Sequence, residues 1–156
     1  MVSQDYEDLF KVLNAHKIKY LIFGAHAVMF YTEPRFTKDM DVWIPAALND
    51  VERIYTALKA FGAPLRSVKP QDFRNPKMIL QIGVAPVRID ILTNVLGISI
   101  AEAWKNKIKS RYGKTPIYIL GRFDLIKAKK AAGRPQDKLD LAGLTGKRRK
   151  KHDKGY

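Results

Sequence analysis

Three aspartates lie in two short apolar runs of the sequence, and their spacing suggests a metal site. Asp39 directly precedes the run MDVWI, and Asp41, two residues further on, is the second residue of that run. Because side chains repeat every two residues along a strand, both carboxylates should project from the same face. Asp90 lies in a second run, VRIDILT, which can form a strand beside the first. The three carboxylates are therefore expected to converge on one face of a sheet.

Carboxylates packed together repel one another, so each resists ionisation. A divalent cation relieves this repulsion, and Mg²⁺ prefers oxygen ligands, keeps several waters and shares substrate phosphate oxygens. Two such ions can activate an attacking hydroxyl and stabilise a leaving oxygen, with Mn²⁺ as an alternative to Mg²⁺. The residues alone leave a second interpretation open, in which an exposed strand simply carries acidic side chains.

Gly24 separates a strand-length apolar run at residues 20–23 from a helical run that ends at Tyr31. A helix that begins here offers free N–H groups to a phosphate, and glycine permits close approach of the backbone. An ordinary tight turn explains Gly24 equally well. His26, in the first turn of this helix, could touch a phosphate or base, or be a packed, hydrogen-bonded histidine.

Three polar residues immediately precede the acidic pair and could hold a triphosphate or line a solvated loop, namely Arg35, Thr37 and Lys38. Lys38 alternates with Asp39 and so points to the opposite face unless the strand begins later. Arg88 shares a face with Asp90 and could pair with a carboxylate.

The elements that must position these residues follow from apolar periodicity and from turn and cap signals. Helices are predicted over residues 4–16, 50–61, 98–108, 122–132 and 135–144, and strands over residues 20–23, 40–44, 78–82, 87–92 and 116–120. Ser3 and Asn49 are the expected caps of the first two of these helices. The GVAP turn predicts a β-hairpin, so the sheet of this α+β fold should contain antiparallel pairs. Residues 62–76 are predicted to form a loop.

The chain is strongly basic, with 29 Lys+Arg against 15 Asp+Glu and a net charge of +14 over 156 residues. This balance favours a polyanionic partner such as nucleic acid or a nucleotide. The length predicts a single domain over residues 1–146, followed by a basic tail at residues 147–156. The tail is either a solvated end or an extension that contacts RNA or DNA.

The first ten residues, MVSQDYEDLF, contain three acidic residues and no apolar segment of the kind found in signal peptides. The sequence as a whole contains no cysteine, which excludes disulfides and thiolate zinc sites. No apolar run approaches the roughly 18 residues that a membrane span needs. A soluble, cytoplasmic protein without a membrane partner is expected.

The segments FGAHAVMFYTEPRFTKDMDVWI and VRIDILT resemble the nucleotidyltransferase superfamily with a DNA polymerase β-like core. The opening motif of that superfamily is a glycine turn, a spacer and D-x-D on a strand. Here Gly24 would be the glycine, Asp39 and Asp41 the D-x-D pair, and Asp90 the late third acid. The segment FDLIKAKKAAGRPQDKLDLAGL resembles the C-terminal helices of AbiEii/AbiGii-type toxins and related minimal nucleotidyltransferases, which include the MenT-type toxins.

The resemblance implies a mixed sheet flanked by helices, with short C-terminal helices, and an activity that transfers NMP from a nucleoside triphosphate to a hydroxyl. Pyrophosphate would be released, and Mg²⁺ would be required. Asp39 and Asp41 would bind both metal ions. Asp90 would bind the catalytic ion and help to deprotonate the acceptor hydroxyl.

The resemblance also assigns roles to the C-terminal helices. Lys129 would contact the triphosphate, while Asp137 and Asp140 would position Lys129 or Arg134 rather than bind metal. Many members of the superfamily carry Gly-Ser or Gly-Gly at the turn, whereas this chain has Gly24-Ala25 and lacks the serine hydroxyl. The candidate nucleotide-binding residues are Gly24, Ala25, Arg35, Thr37, Lys38, Lys129 and Arg134.

Three functions follow as alternatives. The basic surface favours an RNA acceptor, most plausibly tRNA, modified by a toxin that a cognate antitoxin protein would neutralise. A small acceptor such as an antibiotic is the second alternative, for which an acidic acceptor cleft would be expected. The third is an inactive nucleic-acid-binding or antitoxin-like module, which the intact aspartates disfavour.

Overall fold

The computed structural model describes residues 3–146, in which helices surround a single mixed sheet. The helices are α1 (Gln4–Ala15), α2 (Gly24–Tyr31), α3 (Val51–Phe61), α4 (Ile100–Lys105), α5 (Arg122–Ala132) and α6 (Pro135–Thr145). The strands are β1 (Leu21–Phe23), β2 (Asp39–Trp43), β3 (Ile79–Ile82), β4 (Arg88–Leu92), β5 (Ile108–Tyr112) and β6 (Thr115–Ile119). The predicted tail at residues 147–156 lies outside the described residues.

The six-stranded sheet has the order β3-β4-β2-β1-β6-β5. The pairs β2–β4 and β1–β6 are parallel, and the pairs β3–β4, β1–β2 and β5–β6 are antiparallel. The α+β prediction, the β3–β4 hairpin and the pair of short C-terminal helices are confirmed. Within the described part of the chain, no helix is both long and apolar enough to cross a membrane.

The register of the central strands places the acidic residues side by side. Asp41 of β2 is directly opposite Asp90 of β4, and Asp39 is opposite Arg88. On the other side, Asp41 pairs with Phe23 at the end of β1. Alternate residues of β2 and β4 face the opposite way and are buried in the core, namely Met40, Val42, Ile89 and Ile91. Burial of such apolar side chains stabilises the fold by roughly 1.5–3 kcal/mol each, and so fixes which face carries the acids.

Two helix caps were predicted, and one of them is wrong. The Ser3 hydroxyl accepts the N–H of Tyr6 at 3.4 Å and caps α1 as expected. At α3 the cap is Asp50, whose carboxylate accepts the N–H of Glu52 at 3.0 Å. The side chain of Asn49 instead pairs with the backbone of Lys19, so it is not available to the helix.

The helix predicted over residues 98–108 is present but shorter, since α4 spans Ile100–Lys105. Helix α4 ends at Lys105, with Asn106 as its C-cap, and the chain then enters strand β5. β5 pairs with β6 along its full length, through a turn at Gly113. Because β5 is an edge strand with exposed charged side chains at Lys109 and Arg111, its sequence shows little of the apolar alternation typical of a strand. The predicted loop over residues 62–76 contains a short 3-10 helix, Pro70–Arg74.

Candidate active site

The three aspartates converge as the strand spacing predicts. Asp39, Asp41 and Asp90 each offer a carboxylate oxygen, and these oxygens lie within 4.8 Å of one another. Asp90 is only 8% exposed, and the other two are half-buried. The parallel pairing of β2 with β4 brings them together, because it aligns Asp41 with Asp90 on the same face.

The pKa values of Asp41 and Asp90 are both raised, chiefly by burial. Burial, with a further contribution from the charges of Asp39 and Asp90, raises the pKa of Asp41 to about 7. Burial also raises the pKa of Asp90, although hydrogen bonds from Arg88 oppose this change. The positive charge nearby therefore offsets the clustered carboxylates only in part, and a donor set of clustered carboxylate oxygens suits a hard divalent cation such as Mg²⁺.

Gly24 is required at this site for two reasons. Its φ of +68° lies in the left-handed region, which favours glycine. A Cβ at this position would also collide with the carboxylate of Asp41, which packs against the Gly24 backbone. The turn is thus a close approach between the backbone and a candidate metal ligand. The following helix, α2, begins with Phe23 as its N-cap, a residue that has no polar side chain to satisfy the first N–H groups.

Arg88 is inserted among the carboxylates. Its Nη2 donates to Asp39 Oδ2 at 2.5 Å and to Asp90 Oδ2 at 3.1 Å, and its Nε donates to Asp90 Oδ1 at 3.1 Å. The pairing with Asp90 follows from their shared face. The bridge to Asp39 joins two strands that are distant in sequence, so it does not follow from the local pattern.

A second charged cluster surrounds Lys129 on α5. The ammonium of Lys129 lies 3.1 Å from Asp137 Oδ1 and 3.0 Å from Asp140 Oδ2, and all three side chains are buried. Arg134 donates to Asp137, and Arg35 donates to Asp140. Burial alone would raise the pKa of Asp137, but hydrogen bonds from Arg134 and Lys129 lower it to about 2.

An open cleft of about 800 Å³ joins the two clusters, a volume in the range of small-molecule sites. Five of the seven candidate nucleotide-binding residues line it, namely Gly24, Ala25, Arg35, Lys129 and Arg134. The other two do not. The Thr37 hydroxyl lies 3.4 Å from the backbone carbonyl of Asp39, to which it donates, and Lys38 is exposed outside the cleft lining. Strand β2 begins at Asp39, after Lys38, so the alternation of the strand does not extend to Lys38.

His26 is a packed residue rather than part of the cleft. It is 9% exposed, and its ring meets the ring of Tyr6 edge-on at a centroid distance of 5.7 Å. Burial lowers the pKa of His26 to about 4, so the ring is neutral at neutral pH.

The cleft residues on strand β3 were not predicted from the sequence. Ile79 and Gln81 on β3 alternate with buried residues and face the cleft beside Asp90, whose backbone is paired with Gln81. The period-two pattern of this hairpin strand was the available signal. Leu96 and Ala128 extend the apolar side of the cleft, but they lie on a loop and on a weakly amphipathic helix, where the sequence contains no comparable signal.

A comparison with solved structures finds a protein with a similar fold. The lincosamide antibiotic adenylyltransferase LnuA, solved with lincomycin bound, matches with a TM-score of 0.60 at 12% sequence identity, covering 93% of this chain and 98% of that chain. An antigenic nucleotidyltransferase-like protein from Paracoccidioides brasiliensis matches with a TM-score of 0.47 at 14% identity, covering 92% and 77% of the two chains. A search of the curated proteins finds no match.

A protein-family comparison matches residues 2–153 to the family described as "Nucleotidyl transferase of unknown function (DUF2204)". The resemblance to the nucleotidyltransferase superfamily is thereby confirmed, and a nucleoside triphosphate substrate is implied. The AbiEii/AbiGii toxin-like branch stays a prediction, since the matched family is not described in those terms. The match spans nearly the whole chain, so the protein is a nucleotidyltransferase that belongs to this family.

Proposed function

We propose that this enzyme transfers NMP from a nucleoside triphosphate to a hydroxyl of RNA at the site formed by Asp39, Asp41 and Asp90. The observation that carries the proposal is the convergence of these three carboxylates within 4.8 Å of one another. They line a cleft that also contains cationic side chains. Carboxylates to hold divalent ions and cations to hold phosphates are the two requirements of nucleotidyl transfer.

Asp39 and Asp41 would hold two divalent ions and Asp90 would share one of them. Mg²⁺, or Mn²⁺ in its place, would polarise the α-phosphate and lower the pKa of the acceptor hydroxyl when bound. The raised pKa of Asp41 supports this assignment, because ionising three clustered carboxylates costs free energy unless a metal ion supplies positive charge. Gly24 supports it as well, since its missing side chain makes room for the Asp41 carboxylate.

The triphosphate would lie along the cationic side of the cleft. Arg134 is partly exposed there, with a side chain that is 73% accessible, and can contact phosphate without leaving Asp137. Lys129 is buried between its two carboxylates and contributes charge at the base of the cleft. Ala25 offers its backbone N–H at the start of α2, which partly replaces the absent serine hydroxyl.

The acceptor oxygen would attack the α-phosphorus and form a new P–O bond as the bond to the β-phosphate breaks. The electron pair of that bond leaves with pyrophosphate, and the hydroxyl proton passes to the carboxylate of Asp90. Asp90 suits this task because its pKa is raised by burial, which makes the carboxylate a better base.

An RNA acceptor is supported by the charge of the surface. Residues 3–146 contain 23 Lys+Arg and 14 Asp+Glu, since the tail accounts for six and one of the 29 and 15. Exposed cations follow the edge strand and the turn after it, at Lys109, Arg111 and Lys114. β5 lies three strands from β2, or about 14 Å across the sheet at about 4.8 Å per strand. An RNA strand bound there could reach the carboxylates.

A small-molecule acceptor is the second candidate, and the exposed apolar side chains that line the cleft favour it. Ile79 and Leu96 line the cleft yet remain 57% and 67% exposed. Exposed apolar side chains beside a polar site are typical of pockets that bind an amphipathic ligand. LnuA, whose fold is similar, is an adenylyltransferase that acts on lincosamide antibiotics.

Transfer assays distinguish the two acceptors. The enzyme would be incubated with Mg²⁺ and each labelled triphosphate, with total tRNA in one series and a panel of hydroxyl-bearing antibiotics in the other. We expect label on tRNA and none on the antibiotics. Label only on an antibiotic would replace the first candidate by the second. Asp39→Asn serves as the inactive control, and Asp5→Asn as a matched surface control.

The toxin role and the cognate antitoxin rest on the resemblance of the C-terminal helices alone. If the chain is a toxin, its expression in bacteria should arrest growth, whereas the Asp39→Asn variant should not. Normal growth at equal protein level would contradict that role and leave the enzymatic proposal unchanged.

A further inference from the structure

The guanidinium of Arg88 occupies the oxygens that a metal ion would need. Its three hydrogen bonds go to Asp39 Oδ2, Asp90 Oδ1 and Asp90 Oδ2. Asp39 and Asp90 belong to the carboxylate group that can hold an ion. An arginine stays protonated at any physiological pH, so it cannot vacate these oxygens by losing a proton. It can only move.

The backbone of Arg88 is held by a hydrogen bond, whereas its side chain can rotate into the open cleft. The Tyr6 hydroxyl lies 3.2 Å from the carbonyl oxygens of Pro86 and Arg88 and can donate to either. In contrast, the side chain of Arg88 is 33% exposed and borders the open cleft. Rotation about its side-chain bonds would carry the guanidinium from the acids toward solvent without any change in the strand.

We propose that Arg88 is a resident counter-cation that competes with divalent ions for Asp39 and Asp90, and that it must swing out when metal binds. The inference rests on the proposed metal-dependent function. With one positive charge against three carboxylates, Arg88 stabilises the metal-free site only in part. A divalent ion at the same oxygens would lie within a few ångströms of the guanidinium, and repulsion between the two cations would drive Arg88 away.

The test is the affinity of the nucleotide-free protein for Mn²⁺, measured from the free-ion signal in electron paramagnetic resonance. Arg88→Met removes the competitor, so Mn²⁺ should bind about tenfold more tightly or better. Arg53→Met is the matched control, because Arg53 is exposed on α3 and does not line the cleft. It removes the same charge from the protein and should change the affinity less than twofold.

The outcomes separate this inference from the proposed function. If the wild-type protein binds Mn²⁺ and Arg88→Met binds it equally well or more weakly, Arg88 is not a competitor. If neither protein binds Mn²⁺, the metal site itself is refuted, and the role of Arg88 with it. Binding by the variant alone would support competition in its strongest form.

A second measurement needs no substitution at Arg88. In the ¹⁵N spectrum of the wild-type protein, the Nε–H resonance of Arg88 should shift as Mg²⁺ is added, because its bond to Asp90 is lost. A resonance that stays unchanged while Mg²⁺ binds would show that Arg88 keeps its carboxylate partners, which overturns the proposal. This readout also decides the question if the Arg88→Met variant fails to fold.

Discussion

The most informative stability prediction concerns Asp41, whose ionisation opposes folding in the absence of metal. Burial and the neighbouring carboxylates raise the pKa of Asp41 from 3.8 to about 7. At 1.36 kcal/mol for each pH unit, keeping this group ionised in the folded state costs up to about 4 kcal/mol. We therefore expect the Asp41→Asn variant to be more stable than the wild-type protein when both are free of metal.

The expected gain is about 1–3 kcal/mol at pH 8, because Asp41 is half-buried and an amide is an imperfect replacement for a carboxyl group. For a chain of this size, that gain corresponds to a rise in Tm of roughly 2–10 °C. The sign depends on pH. The pKa is raised on folding, so the cost is fully present above pH 7 and falls as the pH decreases toward 3.8. The advantage of the variant should therefore shrink between pH 8 and pH 4.

Calorimetry in the presence of EDTA, at pH 8 and at lower pH, measures this difference. Asp5→Asn, an exposed change of the same chemistry on α1, should stay within about 0.5 kcal/mol of the wild-type protein. The addition of Mg²⁺ should stabilise the wild-type protein more than Asp41→Asn. A variant that is no more stable than wild type at pH 8, or an advantage that grows as the pH falls, would refute the electrostatic reasoning.

Three further predictions follow from the same contacts. Gly24→Ala should destabilise the protein by about 1–2 kcal/mol from its left-handed backbone alone and more from the collision with Asp41, as measured by urea unfolding. Lys129→Met removes the buried cation between Asp137 and Asp140, which keep only their more exposed arginine partners, and should cost about 3–5 kcal/mol. Lys130→Met on the exposed side of α5 should cost under about 0.5 kcal/mol. The lowered pKa of Asp137 stabilises the fold above its usual value of 3.8, and this contribution is lost as the pH falls toward about 2. Acid titrations monitored by circular dichroism should accordingly show a shallower loss of stability in Asp137→Asn than in the wild-type protein over this range.

The sequence was sufficient to predict the acidic site because strand periodicity is a local property. The two-residue spacing of Asp39 and Asp41 places both carboxylates on one face, and the apolar neighbours of Asp90 place it likewise. Which residues stand opposite one another depends on strand pairing and register, which the local pattern does not contain. The bridge from Arg88 to Asp39 and the contact of Gly24 with Asp41 both depend on that pairing.

Other differences also arise from tertiary contacts. Asn49 and Asp50 are equally good cap residues by type, and the choice between them follows from the pairing of Asn49 with the backbone of Lys19. Strand β5 was not predicted, because its exposed charged side chains on an edge strand hide the apolar alternation of a strand. Thr37 and Lys38 were candidates by proximity in sequence, yet neither lines the cleft.

The central claim is metal-dependent nucleotidyl transfer at Asp39, Asp41 and Asp90. The most direct test supplies a nucleoside triphosphate labelled either at the α-phosphate or at the γ-phosphate, with Mg²⁺ and tRNA. We predict that only the α-label becomes attached to the acceptor, and that transfer is lost in EDTA and in Asp39→Asn. Attachment of the γ-label, or transfer of the α-label that persists in the Asp39→Asn variant, would contradict the account.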